Sequence, residues 1–208
     1  WSISTGGSRK TVRVYNWGEY IDKTVIIDFE DKFDCRIIYE TFDSNEIMYT
    51  KYMSGNSYDV LVPSEYMIER MIKEDLLQPV DKSLIPNLDN INGGILGQSF
   101  DLSNNYWVPY FCGNVGILYD KTVVDEKDLE AGWSILRNTK YKNQIYMYDS
   151  ERDSFMVALK ALGYSMNTTK EREINEAYQW LLEQREEMNP VYVGDESIDT
   201  MISGVKAM

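Results

Sequence analysis

Histidine is absent from the 208 residues. That removes Ser/His and Cys/His catalytic arrangements, zinc sites that need imidazole, and any imidazole-based pH switch. Cysteine occurs only at Cys35 and Cys112, both in apolar, strand-like contexts. Two buried free thiols are therefore expected rather than a disulfide framework. Long apolar runs are also missing: the longest are of the Val25-Ile26-Ile27 kind, whereas a membrane-spanning helix needs about 20 such residues. Gly and Pro number 13 and 5, and no stretch is low-complexity, which excludes a fibrous repeat or a disordered chain. Basic charge is scarce. Lys plus Arg is 21 against 34 Asp plus Glu, a formal net charge of −13. Nucleic acid and anionic membranes are poor partners for such a field, while a cationic ligand is drawn to it. Taken alone, the acidity signifies no more than a well-solvated surface.

What is present is an ordinary globular composition, 43% apolar and 13% aromatic, long enough for one large domain or two of about 100 residues. The first ten residues, Trp1 to Lys10, carry neither an apolar signal core nor an initiator Met, and they read as a tail at a processed end. Beyond them β-type and amphipathic runs alternate. Thr11 to Tyr15 predicts a strand. Asp22 to Phe33 predicts a helix with Val25, Ile26, Phe29 and Phe33 on one side, and Cys35 to Tyr39 a second strand. Ser44 to Met53 predicts a helix capped by Asp43 or Ser44 and ended by Gly55. Tyr58 to Val62 predicts a strand stopped by Pro63, and Glu65 to Asp75 a further helix. This order implies an α/β fold with a mostly parallel sheet.

Residues 81 to 105 predict a long irregular wrapping segment. Tyr106 to Cys112 and Val115 to Tyr119 return to strand chemistry, with a bend made easy at Gly113 and Gly116. The alternation then resumes. A short helix is expected near Ser134, a strand at Gln144 to Tyr148, and a helix from Arg152 to Leu162. A longer helix, Glu171 to Met188, should pack through Ile174, Ala177, Tyr178, Leu181 and Leu182. A strand at Val191 to Val193 and a last helix at Ile198 to Val205 complete the pattern. Of the acidic run Glu183 to Glu187 a solvated helix face is expected.

In parallel sheets ligands sit outside the carboxyl ends of the strands, which selects Asn16 to Tyr20, Thr41 to Ser44 and Pro63 to Tyr66. The first of these places Trp17 and Tyr20 around Glu19. An amine ligand needs that mixture: ring faces attract ammonium groups and cover methylenes, and a carboxylate accepts charge-assisted hydrogen bonds. The same aromatics could equally be core. Ser64, ahead of a helical pattern, could cap that helix as well as touch a ligand.

Tyr15-Asn16-Trp17 with Glu19-Tyr20, then Phe42 with Ser44-Asn45-Glu46 and Met48-Tyr49, then Tyr58 to Ser64, then Leu162-Gly163-Tyr164 with Asn167-Thr168-Thr169, together resemble the spermidine/putrescine-binding proteins of bacterial polyamine ABC importers. The motifs run collinearly from about residue 11 to the end, and the chain corresponds to roughly the first two thirds of such a protein. The resemblance implies a two-lobed periplasmic-binding-protein-like fold: a tail at 1–10, lobe one at 11–113 and an incomplete lobe two at 114–208, closing over an extended polyamine by a hinge. Carried over by position, Trp17, Gly18, Glu19, Tyr20, Ser64 and Tyr66 line the pocket from lobe one, and Ser150 and Asp153 stand at the acidic pair of lobe two. Glu19 takes an ammonium, and Trp17, Tyr20 and Tyr66 flank the alkyl chain. Asp153 also fits as a first-turn acid of its helix. Gly18 stands where some members have Thr, and Ser150 replaces a carboxylate of the spermidine-preferring type, so triamine preference is open.

The resemblance further implies an extracytoplasmic receptor, in the periplasm or lipid-anchored at the cell surface. It implies a monomer with an importer's membrane permease as partner, no nucleic acid, no cofactor and no catalysis. A hydrolase using Glu19 and Asp153 as a carboxylate pair is the competing reading, though no nucleophile-base motif, phosphate loop or metal spacing accompanies it. A third reading keeps the fold but takes another cationic or amino-acid-like solute.

Overall fold

A computed structural model describes residues 9–194 and 197–208. Most of the predicted tail thus lies outside the described residues, and Lys10 already belongs to the first strand. The chain separates into one unit ending at Asn114 and another running from Val115 to Met208.

The first unit is built on strand β1, Lys10–Trp17, flanked by β2, Cys35–Phe42, and β3, Val60–Leu61, in the order β2-β1-β3. Both pairings are parallel, with Lys10 opposite Cys35, Trp17 opposite Phe42 and Tyr15 opposite Leu61. Helix α1, Lys23–Phe33, joins β1 to β2. It starts at Asp22, whose carboxylate accepts from the Thr24 N–H, and ends at Asp34 in the left-handed region. Helix α2, Asn45–Met53, begins after Ser44, whose hydroxyl accepts from the Ile47 N–H. Helix α3, Glu65–Lys73, follows β3. The buried set is Tyr15, Phe42, Met48, Met67 and Met71. Tyr15 meets Phe42 edge-on at 4.9 Å and stacks on Tyr58 at 4.6 Å, geometries that aromatic quadrupoles favour.

Around this core runs a polar tie. Glu40 accepts from Arg13 at 3.0 Å, Lys51 at 2.7 Å and the Tyr58 hydroxyl at 3.0 Å. Residues 81–105 carry short 3-10 turns, at Lys82–Leu84, Pro86–Asn90 and Gly93–Ile95.

The second unit carries β4, Tyr146–Tyr148, parallel to β5, Val191–Val193. Helix α4, Glu151–Ala161, and helix α5, Glu171–Met188, pack on one another, and α6, Ser197–Ile202, follows β5. A 3-10 segment, Glu126–Arg137, is broken at Gly132, which has φ +55°. The core is larger here, with Ile135, Tyr141, Ile145, Ala158, Ala177 and Met188 each 1% exposed or less. Ala207 and Met208 are buried beside β4: the Tyr146 N–H donates to the Met208 carbonyl at 2.8 Å, and the Ala207 N–H to that of Gln144 at 2.8 Å.

Several expectations are corrected. Tyr106 to Cys112 and Val115 to Tyr119 form no strand: neither enters a ladder with the described strands. The α1 side with Val25, Ile26, Phe29 and Phe33 is not buried. On α5 the buried face is Glu173, Ala177, Trp180, Gln184 and Met188, while Ile174, Tyr178 and Leu182 are exposed. The helix has turned to bury its indole, the largest apolar group available; of its polar members, Glu173 accepts from Thr168 and Lys170, and Gln184 donates to the Leu136 carbonyl while its Oε1 is buried without a hydrogen-bond partner among the described residues. Gln184 thereby breaks the solvated face expected from Glu183 to Glu187. Cys35 is buried but Cys112 is exposed, and both are free.

Candidate functional site

The rim of the first unit starts where β1 ends. Asn16, 2% exposed, accepts the Trp17 N–H on its Oδ1 at 2.8 Å, and the Tyr39 hydroxyl donates to the Trp17 carbonyl at 3.4 Å. Burial pushes the Tyr39 phenol up, partly offset by a hydrogen bond with Asn16. Trp17 is thus pinned through its own backbone while its half-buried indole lies 4.6 Å from Phe42 and 5.9 Å from Tyr20. Gly18 and Glu19 follow in a turn, both exposed, and the Glu19 carboxylate meets no hydrogen-bonding or ionic partner among the described residues.

Tyr20 is held by the 106–112 segment. Its ring meets Phe111 edge-on at 4.9 Å and Tyr110 at 6.4 Å, and the Tyr110 hydroxyl donates to the Tyr20 carbonyl. Tyr110 and Phe111 are respectively 49% and 65% exposed. Sequence reading missed both as rim residues because it assigned them to a strand. The signal that could have found them is two adjacent aromatics followed by Cys112-Gly113 with no polar alternation.

Ser64 and Tyr66 lie at the start of α3, next to the start of α2. Ser64 is in the cap position but makes no side-chain capping bond, since its oxygen accepts from Asn45 Nδ2 at 3.1 Å. The Tyr66 hydroxyl accepts from the same Nδ2 at 2.9 Å and donates to Glu46 Oε1 at 2.9 Å. The structure therefore brings Trp17 and Tyr20 into ring contact, with Glu19 in the turn between them, and ties Ser64 to Tyr66 through Asn45.

Ser150 and Asp153 belong to the second unit. Ser150 caps α4, its hydroxyl accepting from the Asp153 N–H at 3.3 Å. Asp153 sits in the first turn, where the helix dipole favours a carboxylate. It borders a cavity of about 230 Å³ whose wall is otherwise largely apolar, with Tyr148, Val157, Ile198 and Met201 among its residues. Asp149 is exposed. Among the described residues no cluster of acidic or thiol side chains is arranged to hold a metal ion.

An unpaired carboxylate in the turn that links two aromatic residues at the carboxyl end of a parallel strand can bind a cation that carries an alkyl chain. Residues 55–208 match the family of bacterial extracellular solute-binding proteins. The chain belongs to that family. Residues 1–101 also match a hypothetical lipoprotein family, MG045. Among relatives of this solute-binding protein, the spermidine/putrescine-binding periplasmic protein of Salmonella typhimurium is 37% identical over 183 residues, covering 86% of this chain and 52% of the relative.

Among solved structures, the TpPotD lipoprotein of Treponema pallidum matches with a TM-score of 0.81 at 29% identity, over 95% of this chain and 62% of that one. The spermidine/putrescine ABC transporter substrate-binding protein PotD of Streptococcus pneumoniae matches with a TM-score of 0.70 at 39% identity, over 95% of this chain and 61% of that one. The fold is accordingly that of the periplasmic binding proteins. The chain spans about half the length of the curated relatives it matches.

Proposed function

We propose that this solute-binding protein is part of an extracytoplasmic receptor that captures spermidine or putrescine for an ABC importer, without catalysing a reaction. The observation that carries the reading is the rim of Trp17, Glu19 and Tyr20. There a carboxylate with no partner among the described residues follows an indole whose backbone is fixed from below by Asn16 and Tyr39. A polyamine offers only N–H donors and methylenes. Glu19 supplies the acceptor, the rings supply faces that attract the ammonium by about 0.5 to 2 kcal/mol, and the alkyl chain lies over apolar surface. Ser64 and Tyr66 in the first unit are assigned to the same ligand, Tyr66 through its ring. In the second unit Asp153 is assigned a further ammonium, and Ser150 the task of fixing the start of α4.

The relatives' names support the polyamine and the periplasmic location, and the two lipoprotein matches fit a lipid-anchored form. A membrane permease follows as partner, with the receptor acting as a monomer that uses no cofactor. The carboxylate-pair hydrolase receives no support from a family defined by solute binding.

Calorimetry on the full-length protein tests this. Spermidine or putrescine is expected to bind with a Kd of about 1 μM or tighter, or roughly −8 kcal/mol. Glu19→Gln keeps the shape and removes the charge, and it should weaken binding about 10- to 100-fold, as befits loss of a charged hydrogen bond. Absence of heat with either amine removes the proposal. Preference for choline over both would replace the polyamine with a single quaternary ammonium.

A further inference from the structure

Asn45, the first residue of α2, is 4% exposed and polar. A buried amide has two N–H donors and two lone pairs to satisfy. Here Nδ2 donates to Ser64 Oγ at 3.1 Å and to the Tyr66 hydroxyl at 2.9 Å, while Oδ1 accepts the Ser64 N–H at 2.9 Å. Turning the amide over would set its NH2 against the Ser64 N–H, so the hydrogen bonds themselves fix its orientation. The two residues it holds, 19 and 21 positions further along the chain, are the two assigned to the ligand from the start of α3. The contacts also have a direction. Asn45 gives a donor to each hydroxyl oxygen, and Tyr66 passes its proton on to Glu46. With one lone pair of Ser64 Oγ taken from inside, the other remains an acceptor, the polarity an ammonium requires.

We propose that Asn45 is a positioning residue of the polyamine site: it touches no ligand, but it orients Ser64 and the Tyr66 ring and leaves the Ser64 hydroxyl oxygen an acceptor. This rests on the polyamine reading above. The informative variant is Asn45→Asp, which preserves shape and the acceptor for the Ser64 N–H but turns both outgoing donors into acceptors. The two hydroxyls must then donate inward.

Simple electrostatics predicts that an added negative charge tightens the binding of a polycation. The proposal predicts the opposite, a loss of about tenfold in polyamine affinity on the full-length protein. In a Ser64→Ala, Tyr66→Phe background the same change should cost less than about twofold, because neighbours acting through one network are non-additive. Unchanged or tighter binding of Asn45→Asp, or an equal loss in both backgrounds, overturns it.

A measurement without ligand separates this from the functional reading. The Asn45 side-chain NH2 resonances should exchange slowly with solvent in the wild type and shift in Ser64→Ala and in Tyr66→Phe. If the wild type binds no polyamine the functional reading fails, and fast exchange of that NH2 sinks the clamp whatever the ligand.

Discussion

In the first unit the buried apolar set comprises Tyr15, Phe42, Met48, Met67 and Met71, three of them unbranched thioethers, and charged groups reach in among the strands through Glu40, Arg13 and Lys51. In the second unit four methionines stand in a larger buried cluster of fifteen described residues, from Val124 to Met208, that closes around the α4 and α5 contact, and ion pairs such as Arg137 with Glu187 stay at its margin. Methionine adapts to irregular space and specifies position weakly. With methionine three of five in the first core and four of fifteen in the second, the first unit leans more on directed polar bonds for its geometry, and the second more on packing. The rim that bears Trp17, Glu19 and Tyr20 stands on the first kind of foundation.

The largest effect that would separate the two comes from Ile145→Ala. Ile145 is fully buried in the second unit, and such a truncation costs about 2 to 5 kcal/mol through lost transfer energy and a residual cavity. Hydrogen exchange should show the loss in amides of β4, α4 and α5, while β1 keeps its protection. Equal loss in β1 would mean that the units do not unfold independently and that the contrast is false.

Next comes Glu40→Gln, expected to cost the first unit about 1 kcal/mol near neutral pH, a magnitude usual for partly exposed ion pairs. Lys51, then Tyr58, hold the Glu40 carboxyl below the usual carboxylate range, with Arg13 adding to the same direction. A carboxylate depressed in the folded state stabilises above its unfolded value and stops doing so as the pH falls through its folded value. The difference between wild type and Glu40→Gln should accordingly shrink in acid and vanish below the carboxylate range. A difference that stays constant with pH would show that shape, not charge, holds this tie.

An effect of the same size as that of Glu40→Gln is assigned to Tyr141→Phe, which removes an O–H donating to Asp128 at 2.7 Å and accepting the Asp125 N–H at 3.0 Å. About 1 kcal/mol is expected, confined to the second unit and seen by chemical denaturation. A cost above that of Ile145→Ala would place polar bonds ahead of packing there too.

The alternation of strands and helices was legible because hydrophobic period and caps are local: Asp22, Ser44 and the left-handed Asp34 each mark a helix end in the chain itself. The two-residue extent of β3 and the failure of 106–112 to pair were not legible, since the partner strand is a tertiary fact. Of the candidate site, Trp17 and Tyr20 could be read from strand position and residue type. Asn45 could not. Within its short motif it looks like one more polar residue at a helix start, and only the fold shows Ser64 and Tyr66 at its amide. Ser64 illustrates the converse, because occupying a cap position does not commit a hydroxyl to capping once a buried amide competes for it.

Cys112 gives the first unit a chemical handle. Cys35 is shielded at 4% exposure, whereas Cys112 is accessible and adjoins Phe111, whose ring meets that of Tyr20 at 4.9 Å. Of these two thiols, a maleimide fluorophore would label Cys112 and leave Cys35 untouched. It would thereby carry an environment-sensitive dye to the neighbourhood of the aromatic rim without a single substitution.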